Sequence, residues 1–310
     1  MKAIMYHYVR PDARDMPYFR YLSLDNFRRQ LDHFEAEYGF LSQAAFQHAL
    51  KTGAPQPGVV LTFDDAMSDH HDFVFPELAE RGLWGIFYVP TGVYTGYGML
   101  DVHRVHVLIG TFGGTRVLDA LEPMVTPEMV PDERVAAFRS ETYTLQDNDA
   151  ATNRVKRILN YFIAYDHRRS VLDRLMTAFF GQSGPNAETF YMTAEHMDDM
   201  AKGGQVIGSH SVTHPVFSKL DRAAQADEIK ASFTHLAPLM AQAPFKTFCY
   251  PYGGFHSFTA DTEALLTEAG CAFSFNVEQR DIERSDLLDR PQALPRYDCN
   301  LFPHGTASMG

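Results

Sequence analysis

The sequence predicts an α/β fold built on a parallel sheet, interrupted by a helical insertion at about residues 101–190. Three observations carry this expectation. Short apolar runs rich in β-branched residues alternate with segments of helical period. The order βαβα, with short connections, recurs on both flanks of the chain. Between the flanks the strand pattern lapses and only helical periodicity remains. At 310 residues, 45% hydrophobic and 21% charged, the chain can bury a sizeable core.

Taken in order, the strands are expected at Lys2–Tyr6, Gly58–Phe63, Trp84–Val89, Gln205–Gly208, Lys246–Tyr250 and Cys271–Phe275. Leu24, Phe27, Leu31 and Phe34 share one helical face behind Ser23, a suitable N-cap. Asp261 to Ala269 reads as a helix ended by Gly270. In the insertion, Val155, Ile158, Leu159, Phe162 and Ile163 make one apolar stripe, and Val171, Leu172, Leu175, Met176, Phe179 and Phe180 another. Thr126-Pro127 and Pro131-Asp132 look like helix starts. No repeat, low-complexity tract or Gly/Ser linker divides the chain, so 1–310 is read as a single domain carrying the insertion.

Charge and composition exclude several classes. Lys+Arg number 27 against 39 Asp+Glu, a net charge of −12 that would repel a polyanion, so no nucleic acid is expected as partner. The same balance argues against a polybasic membrane-surface protein. No apolar run approaches the roughly 18–20 residues of a transmembrane segment. The N-terminus turns polar at His7, too soon for a secretory apolar region. Cys249, Cys271 and Cys299 are odd in number and far apart, which gives no disulfide framework. A cytoplasmic protein is expected, with homo-oligomerisation open. The chain also holds 14 histidines, too many to pass over.

Three strings stand out. Val59-Val60-Leu61-Thr62-Phe63 runs into the adjacent carboxylates Asp64 and Asp65. Gln205-Val206-Ile207-Gly208-Ser209 runs into His210 and His214. Lys246-Thr247-Phe248-Cys249-Tyr250 runs into the rigid turn Pro251-Tyr252-Gly253-Gly254. Each alone is weak: with so many histidines, chance supplies roughly 0.6 His-x-x-x-His pairs. Their shared place after strands is what coincidence does not supply, because the strand C-termini of a parallel barrel open on one face. One carboxylate with two imidazoles is a three-ligand set for Zn²⁺ or a similar divalent ion. On a helical turn His210 and His214 would face the same side and could share it. Adjacent carboxylates at a strand end cannot both point one way. One of Asp64 and Asp65 can therefore bind metal while the other serves as general base, an apparatus for hydrolysing an ester or amide.

Thr62-Phe63-Asp64-Asp65, His210-Ser211-Val212-Thr213-His214 and Tyr250-Pro251-Tyr252-Gly253 resemble three ordered motifs of the polysaccharide deacetylases, carbohydrate esterase family 4. The stretch from Met192-Thr193-Ala194-Glu195 to His210 is similar to the family's approach to its second motif. The resemblance covers about residues 1–100 and 190–300. It implies a distorted (β/α) barrel of about seven strands and a metal-dependent N-deacetylase acting on an amino sugar or glycan. It also implies Asp64 as general base and Asp65, His210 and His214 as ligands to a divalent metal, zinc first, with cobalt, nickel or iron as alternatives. The turn at Pro251 and Tyr252 would stabilise the oxyanion through backbone N–H. Met5-Tyr6-His7-Tyr8 looks like the permuted branch of the family, in which an early histidine, here His7, protonates the leaving amine.

The chain departs from the family pattern at three places. Ala66 stands where glycine is usual after the Asp pair. Cys249 stands where an arginine often tethers the catalytic aspartate, and Arg296 is the expected replacement, its fork suited to a carboxylate. The late Leu/His motif is missing in its usual form. Solvent is the expected place for His70 and His71. Tyr94, Tyr97 and Met99 are candidates for a sugar-stacking wall. A deformylase or other amidohydrolase on a small amide, and a catalytically silent carbohydrate-binding barrel, are the competing readings.

Overall fold

The computed structural model describes residues 1–13, 15–143 and 148–310. The chain forms two compact units. One comprises Met1–Pro11, Tyr21–Gly98 and Ala187–Ser308, the other Asp12–Arg20, Met99–Asn186 and Met309–Gly310.

The first unit is built on seven parallel strands. They are β1 (Lys2–Tyr6), β2 (Val59–Asp64), β3 (Gly85–Val89), β4 (Val206–Ser209), β5 (Thr247–Cys249), β6 (Phe273–Phe275) and β7 (Tyr297–Asp298). Their spatial order is β6-β5-β4-β3-β2-β1-β7. Lys2 lies opposite Val59 and Tyr6 opposite Phe63, and Asp64 reaches Tyr88 on β3. Six strands fall within two residues of their sequence expectations. The seventh is two residues long, too short to leave a periodic signal.

That seventh strand accounts for the curl of the sheet. Leu294 bridges to Phe275 on β6, and Tyr297 and Asp298 pair with Ile4 and Met5 on β1. Leu294 to Asp298 thus joins one sheet edge to the other, and the fold is a distorted (β/α) barrel. Side chains of successive residues go to opposite faces. Val60, Ile86, Tyr88, Cys249, Phe275 and Leu294 share one buried cluster, while Leu61, Phe63, Phe87, Val89 and Phe248 share another with the helical residues Phe27, Leu31 and Phe34. Burial on both faces is why the strands read as continuous apolar runs. Ser23 caps the helix Leu24–Glu37 by accepting from the Asn26 N–H at 3.2 Å.

In the second unit, Met99–Asn186 carries helices and no strand among the described residues. Val105, Leu108, Val117, Leu121, Val155, Leu159, Leu172 and Leu175 form its core. The stripe from Val155 crosses from the helix Ala150–Arg157 into a π-turn at Ile158–Phe162, and the second stripe lies on the helix Tyr165–Phe180. Thr126-Pro127 opens only one 3₁₀ turn, Pro127–Met129, whereas Pro131 precedes the helix Asp132–Phe138.

Candidate active site

The barrel ladder continues one residue past its strands and plants each motif. The Asp65 N–H donates to the Tyr88 carbonyl at 3.0 Å, the His210 N–H to Val89 at 3.0 Å, and the Tyr250 N–H to Phe275 at 3.2 Å. Beyond these anchors the backbone turns sharply. Asp65, Ala66, Ser211, His214 and Tyr252 all take left-handed conformations, with φ of 81°, 54°, 67°, 58° and 67°. Non-glycine residues rarely do so, and such strain concentrates where surrounding structure fixes a functional geometry. Gly253 continues the last turn at φ 60°, where a Cβ would meet Val277 Cγ2 at 2.3 Å.

These turns bring Asp65, His210 and His214 together. Asp65 Oδ1 lies 3.5 Å from His210 Nε2 and 3.3 Å from His214 Nε2, and all three side chains are buried. Their donor atoms lie within 4.8 Å of one another. The imidazoles converge through an irregular turn, not the helical turn that the i, i+4 spacing suggests. His210 Nδ1 donates to the Cys249 carbonyl at 2.7 Å, which fixes the tautomer and leaves Nε2 bare toward Asp65. Burial lowers the His210 pKa to about 4, so the ring is neutral at working pH, the form in which an imidazole can ligate a metal. A carboxylate and two imidazoles suit a divalent ion of the zinc type.

Asp64 points elsewhere, into the barrel. Arg296 grips it with two parallel hydrogen bonds, Nη1 to Oδ1 at 2.9 Å and Nη2 to Oδ2 at 2.7 Å. Arg296 also donates to Thr62 Oγ1 at 3.0 Å and Cys249 Sγ at 2.8 Å, and its guanidinium lies between the Tyr88 and Phe275 rings. Burial pushes the Asp64 carboxyl up, but the charge and hydrogen bonds of Arg296 overcome it and hold the pKa at about 2. The Cys249 thiol, 3.6 Å from Asp64 Oδ2, is pushed up by burial and stays protonated.

Glu228, on the helix Arg222–Met240, was invisible to sequence reasoning. Its carboxylate accepts from the N–H groups of Val212 and Thr213 at 2.7 and 2.9 Å and from Thr213 Oγ1 at 2.6 Å. Ser211 Oγ accepts from the His214 N–H at 3.1 Å, while Thr91 and Gly92 donate to the Ser211 and Val212 carbonyls. The histidine turn is therefore held from both sides. A solvated-looking glutamate on an amphipathic helix carries no sequence signal for this role.

His7 follows β1. Its Nε2 lies 3.8 Å from Asp65 Oδ2, and its side chain is 37% exposed, which leaves it reachable by a substrate. Tyr252 packs its ring edge-on against His214 with centroids 4.9 Å apart, and Pro251 is buried behind it. The expectation for His70 is overturned: the ring is fully buried and bonded to the His7 carbonyl. Tyr94 is likewise withdrawn from a sugar wall, its hydroxyl donating to the Met192 carbonyl and its ring stacked on His235.

Residues 139–273 match the family model for polysaccharide deacetylase. That span takes in the His210–His214 and Pro251–Tyr252 motifs but not Asp64-Asp65, which the helical section separates from them in sequence. No curated protein matches the chain. Among solved structures, the chain is similar to the Streptococcus pyogenes deacetylase PplD in complex with acetate, at 16% identity and TM-score 0.58 over 98% of this chain and 95% of that one. It is also similar to IcaB from Ammonifex degensii, at 17% identity and TM-score 0.54 over 96% and 90% of the two chains. A de-N-acetylase from Aggregatibacter actinomycetemcomitans gives 13% identity and TM-score 0.51 over 96% and 93%. At these identities the structures speak for the fold, and the family model adds a likeness to the polysaccharide deacetylases over residues 139–273.

Proposed function

We propose that the protein is a metal-dependent carbohydrate de-N-acetylase, removing N-acetyl groups from an amino sugar of a polysaccharide, a surface glycan or its precursor. The observation that carries this reading is one junction of two devices: the donors of Asp65, His210 and His214, and beside them Asp64 in the grip of Arg296. A divalent ion on those donors, zinc by ligand type, would supply Lewis-acid polarisation of the acyl carbonyl and acidify water.

The remaining work falls to the chain. Asp64, ionised at any working pH, takes the proton from water as it attacks the carbonyl carbon. Arg296 keeps that carboxylate oriented and anionic. Backbone N–H at Tyr252 receives the negative charge that develops on the carbonyl oxygen. His7 gives a proton to the amide nitrogen as the C–N bond breaks, so acetate and a neutral amine depart. The net charge of −12 favours a neutral or cationic glycan over an anionic one.

Acetate release from N-acetylglucosamine oligomers, with formate release from N-formyl analogues in parallel, tests the reading. Asp64→Asn should keep the metal and lose acetate release, whereas His210→Ala should lose both. A fully active Asp64→Asn variant would overturn it.

A further inference from the structure

His70 is a costly residue for its place. The ring is fully buried, its centroid 5.7 Å from that of Phe63 and 5.8 Å from that of Phe87. Nε2 lies 2.8 Å from the His7 carbonyl oxygen. A carbonyl only accepts, so Nε2 carries the proton and Nδ1 is bare. Nδ1 has no hydrogen-bond partner among the described residues. A buried polar atom left unmatched costs about 1–3 kcal/mol, which an apolar side chain of similar size would avoid.

The remaining bond therefore needs a reason, and the local backbone supplies one. β1 ends at Tyr6, so His7 lies beyond the ladder. The next carbonyl, that of Tyr8, is held by the Leu22 N–H at 2.9 Å, and Val9 and Arg10 pair with Leu22 and Ser23. Among the described residues no strand lies opposite the His7 carbonyl, and His70 takes that part. The His70–Val74 segment is a π-turn, a departure from regular helix often found at functional sites. Burial lowers the His70 pKa to about 4, so the donor does not change state over the working pH range.

We propose that His70 is a positioning residue, fixing the backbone of His7 so that the half-exposed imidazole meets the leaving nitrogen. This rests on the reading of His7 as proton donor. It predicts a loss of activity without His70, and a selective one. An amine leaving group needs a proton, whereas the phenolate of para-nitrophenyl acetate departs unaided.

The test compares the metal-loaded wild type with His70→Leu, His70→Gln and His7→Gln on both an N-acetylglucosamine oligomer and para-nitrophenyl acetate. His70→Leu removes the unmatched Nδ1 but leaves the His7 carbonyl without its donor, so it should melt near the wild-type temperature and hold the same metal content. It should also lose roughly 10-fold in amide turnover and keep ester turnover within about 2-fold. His70→Gln, whose amide reaches the same carbonyl, should restore most of the amide rate. His7→Gln should show the same selectivity with a deeper loss. Wild-type amide turnover in His70→Leu, or equal loss on both substrates, would overturn the inference while a selective His7→Gln left the His7 reading standing. A non-selective His7→Gln would remove that reading and this inference with it.

Discussion

Arg296 and Asp64 meet in the barrel interior as a bidentate ion pair, with side chains 1% and 3% exposed and far apart in sequence. What joins them is barrel closure. Leu294 pairs with β6 and Tyr297 with β1, and Arg296 between them turns inward over Tyr88 and Phe275. The small Cys249 side chain leaves space for this guanidinium arriving from another strand.

Replacing Arg296 should therefore damage stability and activity together. Removing one partner of a buried pair leaves the other charge unmatched, at roughly 3–5 kcal/mol, and Arg296→Gln should show that loss in urea unfolding. Arg296→Lys keeps a charge but has no planar fork, so Asp64 loses its fixed plane. Acetate release should fall roughly 10–100-fold with metal content unchanged. An Arg296→Lys enzyme of wild-type rate would show that the fork does not orient Asp64 for the proposed reaction.

The same pair sets a pH dependence. Asp64 titrates near 2 in the fold against an ordinary 3.8. A lowered folded value means that the unfolded chain takes up the proton first. The pair's contribution is thus complete above 3.8 and disappears as pH falls through 2, a change of about 2 kcal/mol. Metal-free wild type and Asp64→Asn should be unfolded in urea between pH 6 and 2. The wild type alone should carry this component, with other carboxylates cancelling in the difference. Parallel curves for the two proteins would contradict the ion pair.

The strand-end motifs were legible because the chemistry is written next to the apolar runs that place it. Asp64 ends β2 and Asp65 follows it, and His210 follows β4. Arg296 was legible only as a substitute for a missing residue, since β7 is too short to announce the closure that delivers it. Glu228 and His70 were not legible. Both act on backbone groups, through contacts that no spacing encodes, and His70 in particular reads as a solvated histidine beside His71. The His210–His214 geometry was anticipated for the wrong reason, because left-handed Ser211 and His214 replace the helical turn.

Glu228 offers a test of the support behind the ligands. One carboxylate accepts three hydrogen bonds from Val212 and Thr213, so Glu228→Ala should release the turn that carries His214. Groups that orient metal ligands typically contribute 10–100-fold in affinity. Chelator competition should show a loss of about that size, with Glu228→Gln intermediate because one amide oxygen still accepts. Unchanged affinity in Glu228→Ala would mean that Ser211, Thr91 and Gly92 hold the turn without it.

Gly92 approaches the same turn from the opposite side. Its N–H donates to the Val212 carbonyl at 2.8 Å, and a Cβ built on it would meet that oxygen at 2.6 Å. The obstructing atom is backbone pinned by Glu228, so it cannot swing away as a side chain would. Gly92→Ala must then either stretch its own hydrogen bond or push the His210–His214 turn outward. Overpacking of this kind costs about 1–3 kcal/mol. The same displacement would spread the Asp65, His210 and His214 donors. Gly92→Ala should lower both the melting temperature and the metal affinity, whereas Gly96→Ala, strained by a φ of 90° but with nothing within 4 Å of its Cβ, should lower the melting temperature and leave metal affinity alone. Metal affinity preserved in Gly92→Ala despite a lowered melting temperature would separate the turn's packing from its role in holding the ligands.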